Sequence, residues 1–288
     1  MIVGITGASG FIGSFLCDYL GKENDIVKID LKDKTLDSYS FLGIDVVIHL
    51  AGIAHTKISN KELYYDINRD LAYQTALKAK AEGVKQFIFM STSKVYGDFA
   101  VNNQSFNELS ECHPNDDYSK SKYEAELLIK GLEDNVFTLS IIRPPLVYGP
   151  GVKANMLGLI KFIRKMPIIP FKGINNRRSI VYVGNLSALI ARIIEKRLGG
   201  VFLPSDKQPL SVAEISEIIV KQLGVKKKIV FFPKVLSSLI KFLAPYYYIR
   251  IFGSYELDSS HTNLILEFNN PFTTDFGIKN TIDYLFKK

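Results

Sequence analysis

Tyr118 and Lys122 stand four positions apart in Tyr118-Ser119-Lys120-Ser121-Lys122, a spacing that puts a phenol and an ammonium one turn apart on the same helix face. The pair has a chemical use. Free tyrosine ionises near pH ~10 and is a poor base at neutrality, whereas a nearby ammonium or an oxidised nicotinamide favours the phenolate. Hydroxyls gather in Ser91-Thr92-Ser93-Lys94-Val95-Tyr96-Gly97, directly after the apolar run Gln86 to Met90. Tyr and Lys at this spacing also occur as ordinary surface pairs, so their surroundings decide what they mean.

Gly7-Ala8-Ser9-Gly10-Phe11-Ile12-Gly13 follows the apolar run Ile2 to Thr6 and has the pattern GxxGxxG. One glycine allows a tight turn, another lets backbone amides approach a pyrophosphate, and the last lets a helix pack close to the sheet. The helix N-terminus adds unpaired N–H groups and partial positive charge. Asp30 lies 23 residues beyond Gly7, near the ~20 expected of a carboxylate that grips an adenosine ribose and repels a 2′-phosphate. That favours NAD. Lys28, Lys32 and Lys34 could partly neutralise an extra phosphate, so NADP stays open, and Asp30 could instead be a strand-end turn residue. His49-Leu50-Ala51-Gly52 ends another apolar run, where small side chains would let the cofactor lie against backbone. The expected cofactor contacts are therefore Gly7, Gly10, Phe11, Ile12, Gly13, Asp30, Leu50, Ala51 and Gly52, together with Tyr118 and Lys122.

Short β-branched runs alternating with helical patterns must position these groups, the rhythm of βαβ units in a doubly wound parallel sheet. Strands are expected at Ile2 to Thr6, Ile26 to Asp30, Val46 to Leu50, Gln86 to Met90 and Thr138 to Arg143, with a third strand around Lys34 to Asp37. Helices are expected near Phe11 to Gly21, Lys61 to Glu82 and Asp117 to Leu132. Pro144, Pro145, Gly149, Pro150 and Gly151 then crowd one loop. The expected division is a dinucleotide-binding unit over 1–150, with contributions from about 175–200, and a smaller mixed substrate lobe over 151–288. There, helices are expected near Ala154 to Lys165, Gly184 to Arg197 and Val212 to Leu223, and strands near Ser179 to Val183, Gly200 to Leu203 and Lys228 to Phe232.

A chain of 288 residues, 47% hydrophobic and 23% charged, excludes a disordered or fibrous class and can bury a sizeable core. Cys17 and Cys112 are too few for a disulfide framework and lack metal-ligand spacing, so no metal is expected and a reducing cytoplasm fits. The net charge of +7 arises from lysines that look scattered apart from Lys226-Lys227-Lys228, which points to a solvated face and not to nucleic acid. No signal peptide is visible ahead of Ile2. The apolar stretch Ile229 to Phe252 is broken by Pro233, Lys234, Lys241, Pro245 and Arg250, which rules out a plain membrane span there and at most suggests a segment resting on a membrane surface.

GxxGxxG, the HLAG strand end, STSKVYG, PNDDYSKSK and the run Arg143 to Gly151 (RPPLVYGPG), in this order over the first two-thirds of the chain, resemble the extended short-chain dehydrogenase/reductases, specifically the nucleoside-diphosphate-sugar epimerase/dehydratase branch. The resemblance implies a Rossmann-type α/β fold and a catalytic set of Thr92, Tyr118 and Lys122. Thr92 would hydrogen-bond the sugar's 4-hydroxyl, Tyr118 would act as general base, and Lys122 would hold the nicotinamide ribose and lower the Tyr118 pKa. Ser93 and Lys94 stand where dehydrating relatives carry an acidic pair, which speaks against dehydration. Lys94 resembles the C5 base of inverting dehydratases but is also explained as a solvated or substrate-facing loop cation.

The resemblance further places Thr92 and Asn155 on the substrate, the latter at the diphosphate, and Arg178 on its oxygens, with Arg177 a competitor and Arg250 a third candidate. A guanidinium suits this task because its planar fork matches phosphate oxygens bidentately. RPPLVYGPGVKAN and NRRSIVYV look like polysaccharide-cluster epimerases acting on UDP-N-acetylhexosamines or their 4-keto, 6-deoxy derivatives. The expected function is an NAD-dependent 4-epimerase of a UDP-hexose or UDP-N-acetylhexosamine. A 4-ketosugar reductase is the alternative, as is, in another class, a non-catalytic dinucleotide sensor or scaffold. A homodimer through the helices Lys61 to Glu82 and Asp117 to Leu132 is expected by analogy.

Overall fold

Runs rich in Val, Ile and Phe form strands because their branched and aromatic side chains pack well on a pleated surface. The computed structural model describes residues 1–31, 36–54, 60–98 and 105–286. In its first part β1 (Ile2–Thr6), α1 (Phe11–Leu20), β2 (Asp25–Ile29) and β3 (Val46–His49) lead to one long helical segment. That segment consists of α2 (Glu62–Tyr65), a π-helical turn (Asp66–Asp70) and α3 (Leu71–Ala81). β4 (Gln86–Met90), α4 (Asp117–Lys130), β5 (Thr138–Ile142) and β6 (Leu146–Tyr148) come next. The remainder contains α5 (Ala154–Lys165), β7 (Ile168–Lys172), β8 (Ile180–Tyr182), α6 (Val183–Lys196), β9 (Gly200–Phe202) and α7 (Val212–Leu223). It ends with β10 (Lys228–Phe231), α8 (Lys234–Leu243), α9 (Pro245–Phe252), α10 (Ser260–Leu266) and α11 (Thr274–Phe286).

Six strands pair in the order β2-β1-β3-β4-β5-β9, parallel throughout. β3 and β4 are buried along their whole length, which is why they read as unbroken apolar runs. Val46, Ile48, Ile88 and Met90 pack on one face against Leu16, Cys17 and Leu20 of α1 and Leu186 and Ile190 of α6. On the other face Val47, Phe87 and Phe89 meet Ala72, Ala76 and Ala79 of α3 and Ala125 and Ile129 of α4. This is a doubly wound, Rossmann-type sheet. Its order reverses between β1 and β3, so the ligand crevice of such folds falls at the carboxyl ends of these two strands.

The third strand expected at Lys34 to Asp37 is corrected in part. Residues 32–35 lie outside the described residues, while Leu36–Ser38 form a 3₁₀ turn. Phe41 and Ile44, both buried, plug this short connection against the sheet. β6 and β7 were not anticipated. They are short, and β7 contains Pro170, tolerated because β7 pairs only with β10 in a two-stranded sheet. A separate core gathers Ile160, Ile163, Ile169, Ile180, Ile215, Ile219, Ile278 and Ile282.

Candidate active site

The turn from β1 into α1 leaves no room for side chains. Gly7 has φ +65°, and a Cβ there would stand 2.8 Å from the Ala51 amide nitrogen. A Cβ on Gly13 would approach the Gly7 carbonyl oxygen to 2.2 Å, so only glycine lets α1 start this close to β1. Gly10 caps α1 without a side-chain hydrogen bond, leaving the first-turn amides of Phe11, Ile12 and Gly13 to a ligand. Thr6 ties the two loops together: its hydroxyl oxygen accepts from the Leu50 and Ala51 amides, both at 3.1 Å. The same hydroxyl is hydrogen-bonded to His49 Nδ1 at 3.1 Å. Asp30, at the end of β2, shares a crevice with Ala8, Ser9, Ser14 and Lys28. Glycine cradle, uncapped amides and strand-end carboxylate fit a dinucleotide: pyrophosphate over Gly7 to Gly13, ribose at Asp30.

The other end of the crevice is built on α4. Asp116 caps this helix by accepting from the Ser119 amide at 2.7 Å, and Ser119 reciprocates in a capping box. Lys94 Nζ lies 2.5 Å from Asp116 Oδ2, so the cation clamps the cap two residues before Tyr118. The Tyr118 phenol hydrogen-bonds the Thr92 side chain, which joins the STSKVYG loop to the YxxxK helix. Thr92 is buried, and the phenolic end of Tyr118 is enclosed although the residue as a whole is half-buried. Burial pushes the phenol up to about 12, against the Thr92 hydrogen bond, which lowers it.

Lys122 is buried one turn further on. Its ammonium donates to the Met90 carbonyl at 2.9 Å and lies 4.6 Å from the Phe89 ring centre. Burial brings it down to about 8. In this arrangement the ammonium is directed at the Met90 carbonyl. Gly52 explains the close fit, because a Cβ there would lie 3.3 Å from Lys122 Nζ and 2.9 Å from Asn68 Oδ1. This also brings the HLAG loop, Leu50 to Gly52, to the ammonium.

Asn68 is a residue the sequence reading missed. It is fully buried within the π-helical turn, accepts from the Ile53 amide at 2.9 Å and donates to the Ile53 carbonyl and to Ser121 Oγ, each at 3.1 Å. It thus binds the loop after β3 to the helix of Tyr118 and Lys122. An asparagine among the apolar positions of a helix was the available signal; π-turns often mark such sites.

At the substrate end, Asn155 is exposed in the first turn of α5, next to Ala154 in the left-handed region at φ 56°. Arg177 gives its fork to Glu256, with Nε–Oε2 2.6 Å and Nη2–Oε1 2.9 Å, so a phosphate would have to compete with that carboxylate for it. Arg178 is half-buried and donates to the Gly253 carbonyl at 3.0 Å. The residues on either side of Arg178 are laced to Tyr255 by backbone hydrogen bonds, Ser179 N to Tyr255 O at 2.8 Å and Tyr255 N to Arg177 O at 2.7 Å. The Tyr255 hydroxyl donates to the Ser93 carbonyl at 2.5 Å, beside Thr92. The Arg250 side chain lies outside the described residues.

Sheet, glycine cradle and the Thr92–Tyr118 contact define a dinucleotide-dependent enzyme of the short-chain dehydrogenase type. A model of the NAD dependent epimerase/dehydratase family matches residues 3–202, and the chain belongs to that family. It is 33% identical to a UDP-glucose 4-epimerase of Vibrio cholerae, over 96% of this chain and 93% of that one. It is 28% identical to an N-acetyl-alpha-D-glucosaminyl-diphospho-ditrans,octacis-undecaprenol 4-epimerase of Escherichia coli O157:H7, over 82% of this chain and 76% of that one. Its fold is similar to the crystal structure of a UDP-glucuronic acid 4-epimerase from Bacillus cereus in complex with NAD, with TM-score 0.79 and 23% identity over 99% of this chain and 98% of that one.

Proposed function

We propose that the chain is a nucleotide-sugar 4-epimerase acting on a UDP-hexose or UDP-N-acetylhexosamine, with residues 1–150 and about 175–200 serving the cofactor and the remainder of 151–288 the substrate. The observation that supports this most is the enclosed hydrogen bond between Thr92 and Tyr118, one helical turn from the buried Lys122. The 4-epimerase names of the relatives from V. cholerae and E. coli support it as well. NAD supplies the hydride acceptor and donor for C4 of the sugar. Thr92 Oγ1 accepts weakly from the Lys94 amide at 3.3 Å, so its proton is available to hold the Tyr118 oxygen as that oxygen becomes anionic. Tyr118 would take the proton of the 4-hydroxyl and return it once the 4-keto sugar has turned its other face. Lys122 would hold the nicotinamide ribose, and Asn155 and Arg178 the diphosphate. Exposed Leu77, Leu127 and Leu128 on α3 and α4 support a homodimer through these helices, which light scattering would test.

Incubation of purified protein with UDP-glucose or UDP-N-acetylglucosamine, without added cofactor, is expected to yield the 4-epimer. Turnover confined to a 4-keto sugar with added NADH or NADPH would instead assign a reductase. Tyr118→Phe is expected to lower kcat by roughly 10²- to 10⁴-fold, the contribution of a positioned general base, with unfolding unchanged. An unaltered rate would refute the assignment of the base.

A further inference from the structure

One segment carries all of the chain's net charge. Residues 218–255 hold six lysines and Arg250 and no Asp or Glu, which leaves 29 basic against 29 acidic residues elsewhere and accounts for the whole +7. The run Lys226-Lys227-Lys228 is the centre of this excess. The same segment carries an apolar stripe turned outward. Val235, Leu239, Phe242 and Leu243 of α8 are 84%, 50%, 84% and 68% exposed, and Phe231 at the end of β10 is 68% exposed. The α8 positions fall at i, i+4, i+7 and i+8, one face of a helix. Ile229 of β10 packs into the core below, so this part of the lobe is anchored from within while its outer face stays apolar. The Lys172 ammonium stands 5.1 Å from the Phe231 ring centre, at the edge of the stripe.

We propose that α8 lies flat on an anionic membrane surface, its apolar stripe beneath the lipid headgroups and the exposed Lys226, Lys228 and Lys241 against the lipid phosphates. A helix of ten residues is ~15 Å long, about half of the ~30 Å hydrocarbon core. Among the described residues no helix is long and apolar enough to cross a membrane. Lying in the interface is the arrangement open to a short helix with one apolar face and basic surroundings. A second copy is a poorer occupant. Two such segments would bring like charges together without an acidic group of their own, and one short helix face falls well below the ~800 Å² per partner of a stable interface. The inference is independent of the reading of the active site.

The test is sedimentation of the purified full chain with vesicles of phosphatidylglycerol and phosphatidylethanolamine, compared with phosphatidylcholine vesicles. The chain is expected to pellet with the anionic vesicles and to be released by high salt. The double variant Val235→Glu/Phe242→Glu is expected to bind roughly tenfold or more weakly, because two inserted apolar side chains are lost. Its unchanged circular dichroism and turnover would show that fold and active site are intact. Should that variant fail to fold, Lys226→Glu/Lys228→Glu, at two exposed positions, reads the charge contribution by the same loss. Equal binding of variant and wild type, or no preference for anionic vesicles, overturns the proposal. So does a dimer mass that only the wild type shows, which would assign the stripe to a second copy.

Discussion

Burial acts on Tyr118 and Lys122 in the same sense, toward the neutral form, and outweighs their other interactions. The phenol is pushed up to about 12 and the ammonium down to about 8. Burial thus favours the protonated phenol at neutral pH, and a bound oxidised nicotinamide would oppose it, so kcat is expected to climb from neutral toward alkaline pH in a pH–rate profile; a profile that falls over that range would count against Tyr118 as base. His49 is governed by burial too, with the Lys122 ammonium adding to it, and its imidazole is held down at about 3. The folded chain then binds fewer protons here than the unfolded chain between the ordinary histidine value of 6.5 and about 3. Stability from this group is present above pH 6.5 and lost as pH falls toward 3. His49→Asn is expected to flatten the acid limb of urea midpoints measured across that window; an unchanged slope would remove His49 as its source. The Tyr118–Lys122 pair and the glycine turn were legible because their patterns are local, and Thr92 through the resemblance of STSKVYG to its family's motif. Asn68 and the Thr6–His49 tie were not, since their partners lie 53 and 43 residues away.

The helix α4 presents the Tyr118 phenol, the proposed general base, and a buried ion pair fixes this helix to the sheet. Glu126 of α4 meets Arg143, at the end of β5, with Nη2–Oε2 2.5 Å and side-chain exposures of 3% and 7%, and the Ser91 hydroxyl donates to the same carboxylate. Removing one partner strands the other charge out of water. Glu126→Leu is expected to destabilise the chain by ~3–5 kcal/mol, read from urea unfolding, and to loosen α4 beside Thr92. A loss near zero would mean that Arg143 finds water. The sheet strands were readable because parallel strands are buried on both faces and so are apolar throughout. β6 and β7 escaped because three- and five-residue strands beside glycines and prolines carry too little pattern. The π-turn at Asp66–Asp70 escaped because it inserts into an otherwise regular helical periodicity.

Across the whole molecule the parts are joined at Asp206, which is buried. Its carboxylate accepts from Tyr148 Oη at 2.7 Å, Asn185 Nδ2 at 2.8 Å, and the Tyr182 amide and Thr274 Oγ1, both at 3.1 Å. Those donors belong to β6, α6, β8 and α11, so one side chain holds the return to the sheet against the C-terminal helix. Asp206→Ala leaves them unsatisfied and is expected to cost about 3 kcal/mol or more in urea unfolding; a neutral effect would show that the joint rests on the apolar core alone. Residue order was enough to announce the alternation of strands and helices, the glycine turn and the candidate reactive groups, because backbone sterics and exclusion of water from apolar faces act over a few consecutive residues. Residue order did not say that Lys122 would reach the Met90 carbonyl, that Glu256 would pair with Arg177 and not Arg178, or that the apolar stripe of α8 would face outward. Those outcomes depend on contacts between groups far apart in the chain, whose energies exist only once it has closed on itself.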